Sequence, residues 1–409
     1  MNISARVYLD HAATTPVRAE VAEQVADDLA SGLGGWANPA AQHASGRRAG
    51  ALLAQARSRL ATALDVDPHE VIFTSGGTEA DALALTGRVL AARAAGVARP
   101  RLVTSAIEHP AVLDSARTAA VQLGAEHVEA PVDRAGRVDT ESLAGLVAPG
   151  RTALVSVMAA NNETGAVQDL AGIVAAVRAA TGTDRPGTAG YVPVHSDAVA
   201  AVGKVPVDMH GWGLDALSLT GHKLGAPVGV GALIARRDFT LVTPTGGGRQ
   251  ERGLRSGTQD VVGARALTLA VELAILEREA EAARLEGLRS RLLAGATALE
   301  GVHATLPDGV AHAPATAHLW VEDAAAEALL MTLDLAGIDA SAGSACHAGV
   351  SQPSHVMLAM GYGEDAARAT LRCSMGRETN AADIERLLAA LPDAVQTARR
   401  ARLPHHRHF

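Results

Sequence analysis

The chain has 409 residues, enough at roughly 150 per domain for two or three domains and a site set deep in a core. Lys and Arg total 36 against 44 Asp and Glu, and the net charge of −8 excludes the basic field that nucleic acid or an anionic membrane would need. Hydrophobic residues at 48% and charged residues at 20% fit a folded globular chain, and aromatics at 2% are too few for base-stacking platforms or aromatic sugar clefts.

The chain opens MNISARVYLDHAATTP, with Asp10 and His11 where a secretion signal would need an apolar core. Apolar runs such as Val228 to Ala235 are short and broken by glycine, so no membrane span is expected, and the expectation is a cytoplasmic protein. From Pro68 to about Ala235, short β-branched runs alternate with helical patterns, the signature of a sheet rich in parallel strands with crossover helices. Strands are predicted at Val71 to Thr74, Arg101 to Ser105, Ala153 to Met158, Val192 to Ser196, Ala216 to Thr220 and Gly229 to Ala235. Helices are predicted at Glu79 to Ala95, Ala111 to Leu123 and Gly172 to Thr181, each with apolar residues at spacings of three and four. Gln259 to Leu299 reads as one long or broken helical stretch. A smaller α+β region follows, with a strand near His318 to Val321, a helix at Ala324 to Ala336, a small-residue loop at Ser341 to Gly349 and a helix from Ala381 to about Arg399. The last residues, with His405, His406 and His408, read as a frayed tail rather than a metal site.

Three predicted strand ends carry chemistry. TSGGTE at 74–79 lies between a strand and a helix starting near Thr78. Gly76 and Gly77 admit an anion close to the backbone, and Thr78 can cap the helix or bind phosphate. The run lacks G-x-G-x-x-G spacing and a P-loop lysine, which argues against dinucleotides and nucleoside triphosphates. Asp197 and Lys223 each follow a strand, on the same carboxyl rim, where open α/β sheets bind ligands. A phosphate cradle, a carboxylate and a lysine suit pyridoxal phosphate: phosphate on the turn, pyridine nitrogen on Asp197, aldehyde on Lys223 as a Schiff base. Taken singly, each has a plainer reading as a capped turn or a solvated loop lysine. Of the two cysteines, Cys346 lies in the small-residue loop and suits a nucleophile or a buried apolar group equally, whereas Cys373, in ATLRCSM, reads as a buried strand residue. No C-x-x-C or zinc-type spacing occurs.

A series of strings runs nearly end to end: YLDHAATTP at 8–16, HASGRRA at 43–49, FTSGGTEAD at 73–81, EHPAVL at 108–113, NNETG at 161–165, HSDAV at 195–199, SLTGHK at 218–223, QERGLRSGT at 250–258, GSAC at 343–346, PSHV at 353–356 and TLRCSMGR at 370–377. In these the chain resembles the cysteine desulfurases, in the class V aminotransferase branch of the fold type I pyridoxal phosphate enzymes. The resemblance implies an α/β fold: a large domain at 17–260 with a mostly parallel central sheet, a smaller α+β domain from 1–16 and 261–400 bearing the cysteine loop, and a flexible tail at 401–409. It implies that Lys223 holds pyridoxal 5'-phosphate, Asp197 pairs with the ring nitrogen and His109 stacks on the ring. Asn162 would contact the ring oxygen or the substrate carboxylate, and Arg372 would bind that carboxylate. Gly77, Thr78, Thr220 and His222 would hold the phosphate, with Thr258 reaching over from a second subunit, so a homodimer with shared active sites is expected.

Cys346 would take sulfur from L-cysteine as a persulfide, release L-alanine and pass the sulfur to a scaffold or carrier protein for iron–sulfur or thio-cofactor assembly. Selenocysteine lyase, cysteine sulfinate desulfinase and a catalytically weakened interaction protein are the alternatives. Three departures from the family pattern stand out: Ala200 where a glutamine is usual, Arg249 in TPTGGGRQER, and His347 after the cysteine. They point to altered rate, loop behaviour or sulfur acceptor.

Overall fold

The computed structural model describes residues 6–33, 37–343 and 352–402. Strand β1 (Val7–Tyr8) is followed by helices α1 (Ala19–Ala30) and α2 (Ala44–Ala63). The next elements alternate: β2 (Val71–Thr74), α3 (Gly77–Ala94), β3 (Arg101–Ser105), α4 (Pro110–Leu123), β4 (Glu126–Ala130), α5 (Thr140–Leu146), β5 (Thr152–Ser156), α6 (Leu170–Thr181), β6 (Val194–Asp197), β7 (Ala216–Thr220) and β8 (Gly231–Ala235). These strands form one seven-stranded sheet in the order β2-β8-β7-β6-β5-β3-β4. All pairings are parallel except those of β8, which runs against both β7 and β2. The expected parallel sheet therefore carries one reversed strand: Gly231–Ala235 returns from β7 directly, without a crossover helix.

Local chemistry sets the boundaries. Helix α4 begins at Pro110, whose fixed φ and missing N–H suit a first helical position, and ends at Gly124 in the left-handed region. Helix α3 starts at Gly77 with Gly76 as its N-cap, so Thr78 is the second helical residue, which removes the capping role and leaves the phosphate one of the two open to it. Strand β4, EHVEA, was not anticipated: it has one β-branched residue and a half-exposed surface, the profile of an edge strand.

Beyond the sheet, α7 (Val261–Thr297) is one unbroken helix. It leads to β9 (Val302–Ala304), β10 (Thr316–Val321), α8 (Ala326–Leu335), β11 (Ile338–Asp339), α9 (His355–Ala359), α10 (Glu364–Arg368), β12 (Thr370–Ser374) and α11 (Ala381–Arg402). Since α11 continues through Arg402, residues 401 and 402 belong to a helix and not to a tail; His405, His406 and His408 lie outside the described residues. Strands β12, β10 and β9 form a small antiparallel sheet, and β11 pairs in parallel with β1.

Two large apolar clusters follow. One combines Val21, Leu60, Val103, Val155 and Leu219 with the α7 residues Val261 to Ala274, and the other combines Val7 and Leu9 with Leu285, Leu319, Leu371 and Leu391. Helix α7 thus gives its first half to one core and its second half to the other. Each fully buried Leu or Val contributes roughly 1.5–3 kcal/mol, so both halves of α7 are firmly held.

Candidate active site

The carboxyl ends of the parallel strands open on a cavity of about 790 Å³. Its lining includes Gly77, Thr78, His109, Asn162, Asp197, Thr220, His222, Lys223 and Arg372, all foreseen as site residues, together with Asp81, Ala200 and the rim residues Ser341, Gly343, Gln352 and Pro353. Thr258 does not line it and is exposed. Cys346 and His347 lie outside the described residues, but Gly343 and Gln352, on either side of that segment, both face the cavity.

Beneath the floor, His195 fastens three strands together. Its ring nitrogens meet Ser156 Oγ and Ser218 Oγ, each at 2.9 Å, and burial lowers its pKa to about 3, so it stays neutral. Two residues on, Asp197 ends β6 with one carboxylate oxygen accepting the Val199 N–H at 2.8 Å. Lys223, three residues past β7, makes no hydrogen bond and no ion pair within 4.0 Å among the described residues. Burial pushes its amine below the usual lysine range while Asp197 opposes the shift. The two opposite charges face one cavity without closing on each other.

His109 caps α4, its Nδ1 accepting the Ala111 N–H at 3.0 Å, which leaves Nε2 for other contacts; burial lowers its pKa, with Asp197 opposing. His222 Nδ1 lies 3.3 Å from Thr14 Oγ1. Thr220 Oγ donates to the Val230 carbonyl at 3.4 Å. At Gly77 a Cβ would lie 2.6 Å from Val199 Cγ2, so any larger residue would have to displace the Val199 side chain. Arg372, 4% exposed, donates from Nη2 to Asp10 Oδ1 at 2.7 Å and from Nη1 to the Asn162 carbonyl at 3.0 Å, while its buried Nε has no partner.

Sequence reasoning missed several charged neighbours. Asp10 sits within the quoted YLDHAATTP string, yet nothing local shows that it reaches Arg372. Asp81 is buried, and burial followed by Asp197 pushes its carboxyl well up. Burial raises the Glu108 carboxyl to about 8, where Ser105 Oγ and the Met158 N–H donate to it. Lys204, half-buried, shares a small cavity of about 70 Å³ with Lys223. A lysine beside a proline-bearing loop, as in GKVP at 203–206, gave no local signal of enclosure. Among the described residues there is no cluster of metal-binding type, and no helix is long and apolar enough to cross a membrane.

The family model for class-V aminotransferases matches residues 7–387. The chain is 43% identical to an IscS-like cysteine desulfurase of Mycobacterium tuberculosis, over 97% of this chain and 98% of that protein. It is 38% identical to the cysteine desulfurase NifS of Azotobacter vinelandii, over 97% and 94% of the two chains. A solved NifS-like protein superposes with a TM-score of 0.85 at 30% identity, covering 96% of this chain and 99% of that one. Matched from end to end by the family and by these relatives, the chain belongs to the class-V aminotransferases and, within them, to the cysteine desulfurases.

Proposed function

We propose that the chain uses pyridoxal 5'-phosphate to take sulfur from L-cysteine, releases L-alanine, and carries the sulfur as a persulfide on Cys346 to an acceptor protein. The observation that supports this best is the convergence of Lys223, Asp197 and Arg372 in one cavity whose rim is formed from both sides of the Cys346 segment. The residues fit the cofactor. An enclosed amine without a hydrogen-bond partner and a carboxylate line one cavity, with a glycine-led helix start and His109 also in its wall. In this reading Lys223 would hold the cofactor, Asp197 would pair with its ring nitrogen, His109 would stack on its ring, and Gly77, Thr78, Thr220 and His222 would hold its phosphate. When bound, the cofactor withdraws electrons from the substrate Cα and so weakens the bonds around it.

Arg372 orients the substrate carboxylate through its guanidinium, with Asn162 beside it. Lys223, whose amine burial makes easier to deprotonate, takes the Cα proton and later returns a proton to the product. The Cys346 thiolate attacks the substrate sulfur; the new S–S bond forms as the substrate Cβ–S bond breaks, and protons taken up by the remaining three-carbon fragment give alanine. The exposed Thr258 fits a role in the site of a second copy, which makes a homodimer with shared sites part of the proposal. So is action in the cytoplasm, with sulfur passing to a scaffold or carrier. Incubating purified protein with L-cysteine and measuring alanine together with enzyme-bound persulfide tests the reading. Equal amounts in a single turnover are expected, and alanine without persulfide on Cys346 would overturn it.

A further inference from the structure

The sequence TTPVR at 14–18 runs as an extended strap into α1, with Pro16 keeping the residue before it out of helical geometry. Three backbone carbonyls of the turn that carries Lys223 accept hydrogen bonds from this strap. The Thr15 N–H donates to the His222 carbonyl at 3.0 Å, the Arg18 N–H to that of Gly225 at 2.9 Å, and Arg18 Nε to that of Leu224 at 3.0 Å. The turn is also closed from within, since the Leu224 and Ala226 N–H groups both donate to the Gly221 carbonyl, at 2.9 and 3.0 Å.

Arg18 carries the grip farther. Its side chain is 4% exposed, and Nη1 donates to both Glu277 carboxylate oxygens, at 3.0 and 2.8 Å. A buried guanidinium needs such a counter-charge, and Glu277 stands on α7, where Leu267, Val271 and Ala274 are buried before it and Leu285 after it. One side chain therefore connects the residue next to Lys223 to a helix held by both cores. Lys223 itself lines two cavities, the large one with Asp197 and the small one with Arg18, Lys204 and Glu277. Its amine makes no hydrogen bond among the described residues, so the turn beneath it, and not a partner at its tip, sets the direction of the side chain.

We propose that Arg18 is a positioning residue that holds the Lys223 turn against α7, so that the amine meets the cofactor aldehyde in the large cavity. Its consequence for the cofactor rests on the reading in which Lys223 bonds the aldehyde; the hold on the turn does not.

The test uses the full-length protein and its Arg18→Met and Glu277→Ala variants. Methionine keeps the apolar stem of Arg18 and removes both side-chain contacts. Binding of pyridoxal 5'-phosphate is compared with that of pyridoxine 5'-phosphate, which has an alcohol in place of the aldehyde and cannot bond Lys223. Arg18→Met should weaken the aldehyde form by about 10-fold, the equivalent of one charge-assisted hydrogen bond, and the alcohol form by less than about 2-fold. Glu277→Ala should weaken the aldehyde form by about 3-fold, since Arg18 keeps its bond to Leu224. Equal weakening of both forms would show a general loosening of the fold and overturn the proposal, as would no weakening of either. In turnover with L-cysteine, Arg18→Met should lower kcat by about 10-fold and leave KM within about 2-fold, because Arg372 is untouched. Hydrogen exchange of the cofactor-free chain reads the grip without the cofactor. In both variants the peptide covering residues 221–226 should exchange faster, by about 5-fold in Arg18→Met, with the β5 peptide unchanged as the reference. Unchanged exchange there overturns the grip. Faster exchange in a protein that forms no bond between Lys223 and the aldehyde would keep the grip and remove the cofactor reading. Should Arg18→Met fail to fold, Glu277→Ala decides both measurements.

Discussion

Arg372 Nη2 holds the Asp10 carboxylate at 2.7 Å, joining residues 362 positions apart. A buried guanidinium without a counter-charge would be costly, and Asp10 offsets that cost while keeping the group aimed at the cavity. The unpartnered Nε remains for an incoming carboxylate.

Arg372→Lys should raise the KM for L-cysteine by about 30-fold, with a smaller effect on kcat, because a single ammonium cannot hold Asp10 and the Asn162 carbonyl and still offer a further N–H to the carboxylate. Asp10→Asn keeps a hydrogen bond but removes the counter-charge, and should raise KM by about 3-fold. Steady-state alanine production checks both, and unchanged KM in Arg372→Lys would assign the carboxylate to another group.

Lys223→Ala should abolish covalent retention of the cofactor and lower turnover by at least about 10³-fold. Borohydride treatment followed by peptide mass measurement should find cofactor mass on the Lys223 peptide of the parent protein. Cofactor fixed at another lysine, such as Lys204, would refute the assignment.

Cys346→Ala should bind cofactor normally yet form no persulfide. Cys373 cannot substitute: it is fully buried, and burial pushes its thiol up to about 12. Cys373→Ala should therefore retain activity while losing about 1–2 kcal/mol of stability from the small void left behind, as read by denaturant unfolding.

Lys204 should make the protein's stability depend on pH. Burial, then Lys223 and Arg372, lower its pKa from 10.5 to about 7, while Glu277 and Glu281 on α7 and His11, Arg18 and Arg377 line the same small cavity. Between those two pH values the unfolded chain holds the proton that the fold has released, so this group's destabilising effect is full below about 7 and fades as pH rises toward 10.5. Lys204→Met should raise Tm more at about pH 6.5 than at about pH 9.5. An equal gain at both would show that Lys204 is not selectively disfavoured in its charged form.

Much of this architecture was legible because the sheet's strands are buried on both faces. Val71–Thr74, Arg101–Ser105 and Ala216–Thr220 are short apolar runs bounded by turn residues, and they end where expected. Strand β4 was not legible, since EHVEA lies at an edge and needs no apolar alternation. The expected change of region at 260 marks the start of α7, whereas the packing passes between cores farther along, between Ala274 and Leu285. Within one continuous helix, nothing local says which core each turn faces. The candidate site divides in the same way. Gly77, Asp197 and Lys223 lie at or just past strand ends and could be placed on one rim by the parallel-sheet rule. Asp10 and Asp81 could not, because their partners are set by long-range packing.

The pairing of Val7–Tyr8 with Ile338–Asp339, and the bridge from Asp10 to Ser374, make residues 7–10 wait for partners more than 300 positions later in the chain. On the ribosome, the nascent polypeptide can complete the large sheet while the cavity wall at Ala12 and Ala13 still lacks its support. A product truncated anywhere between residues 224 and 373 would thus retain Lys223 and Asp197 but have no closed pocket around them.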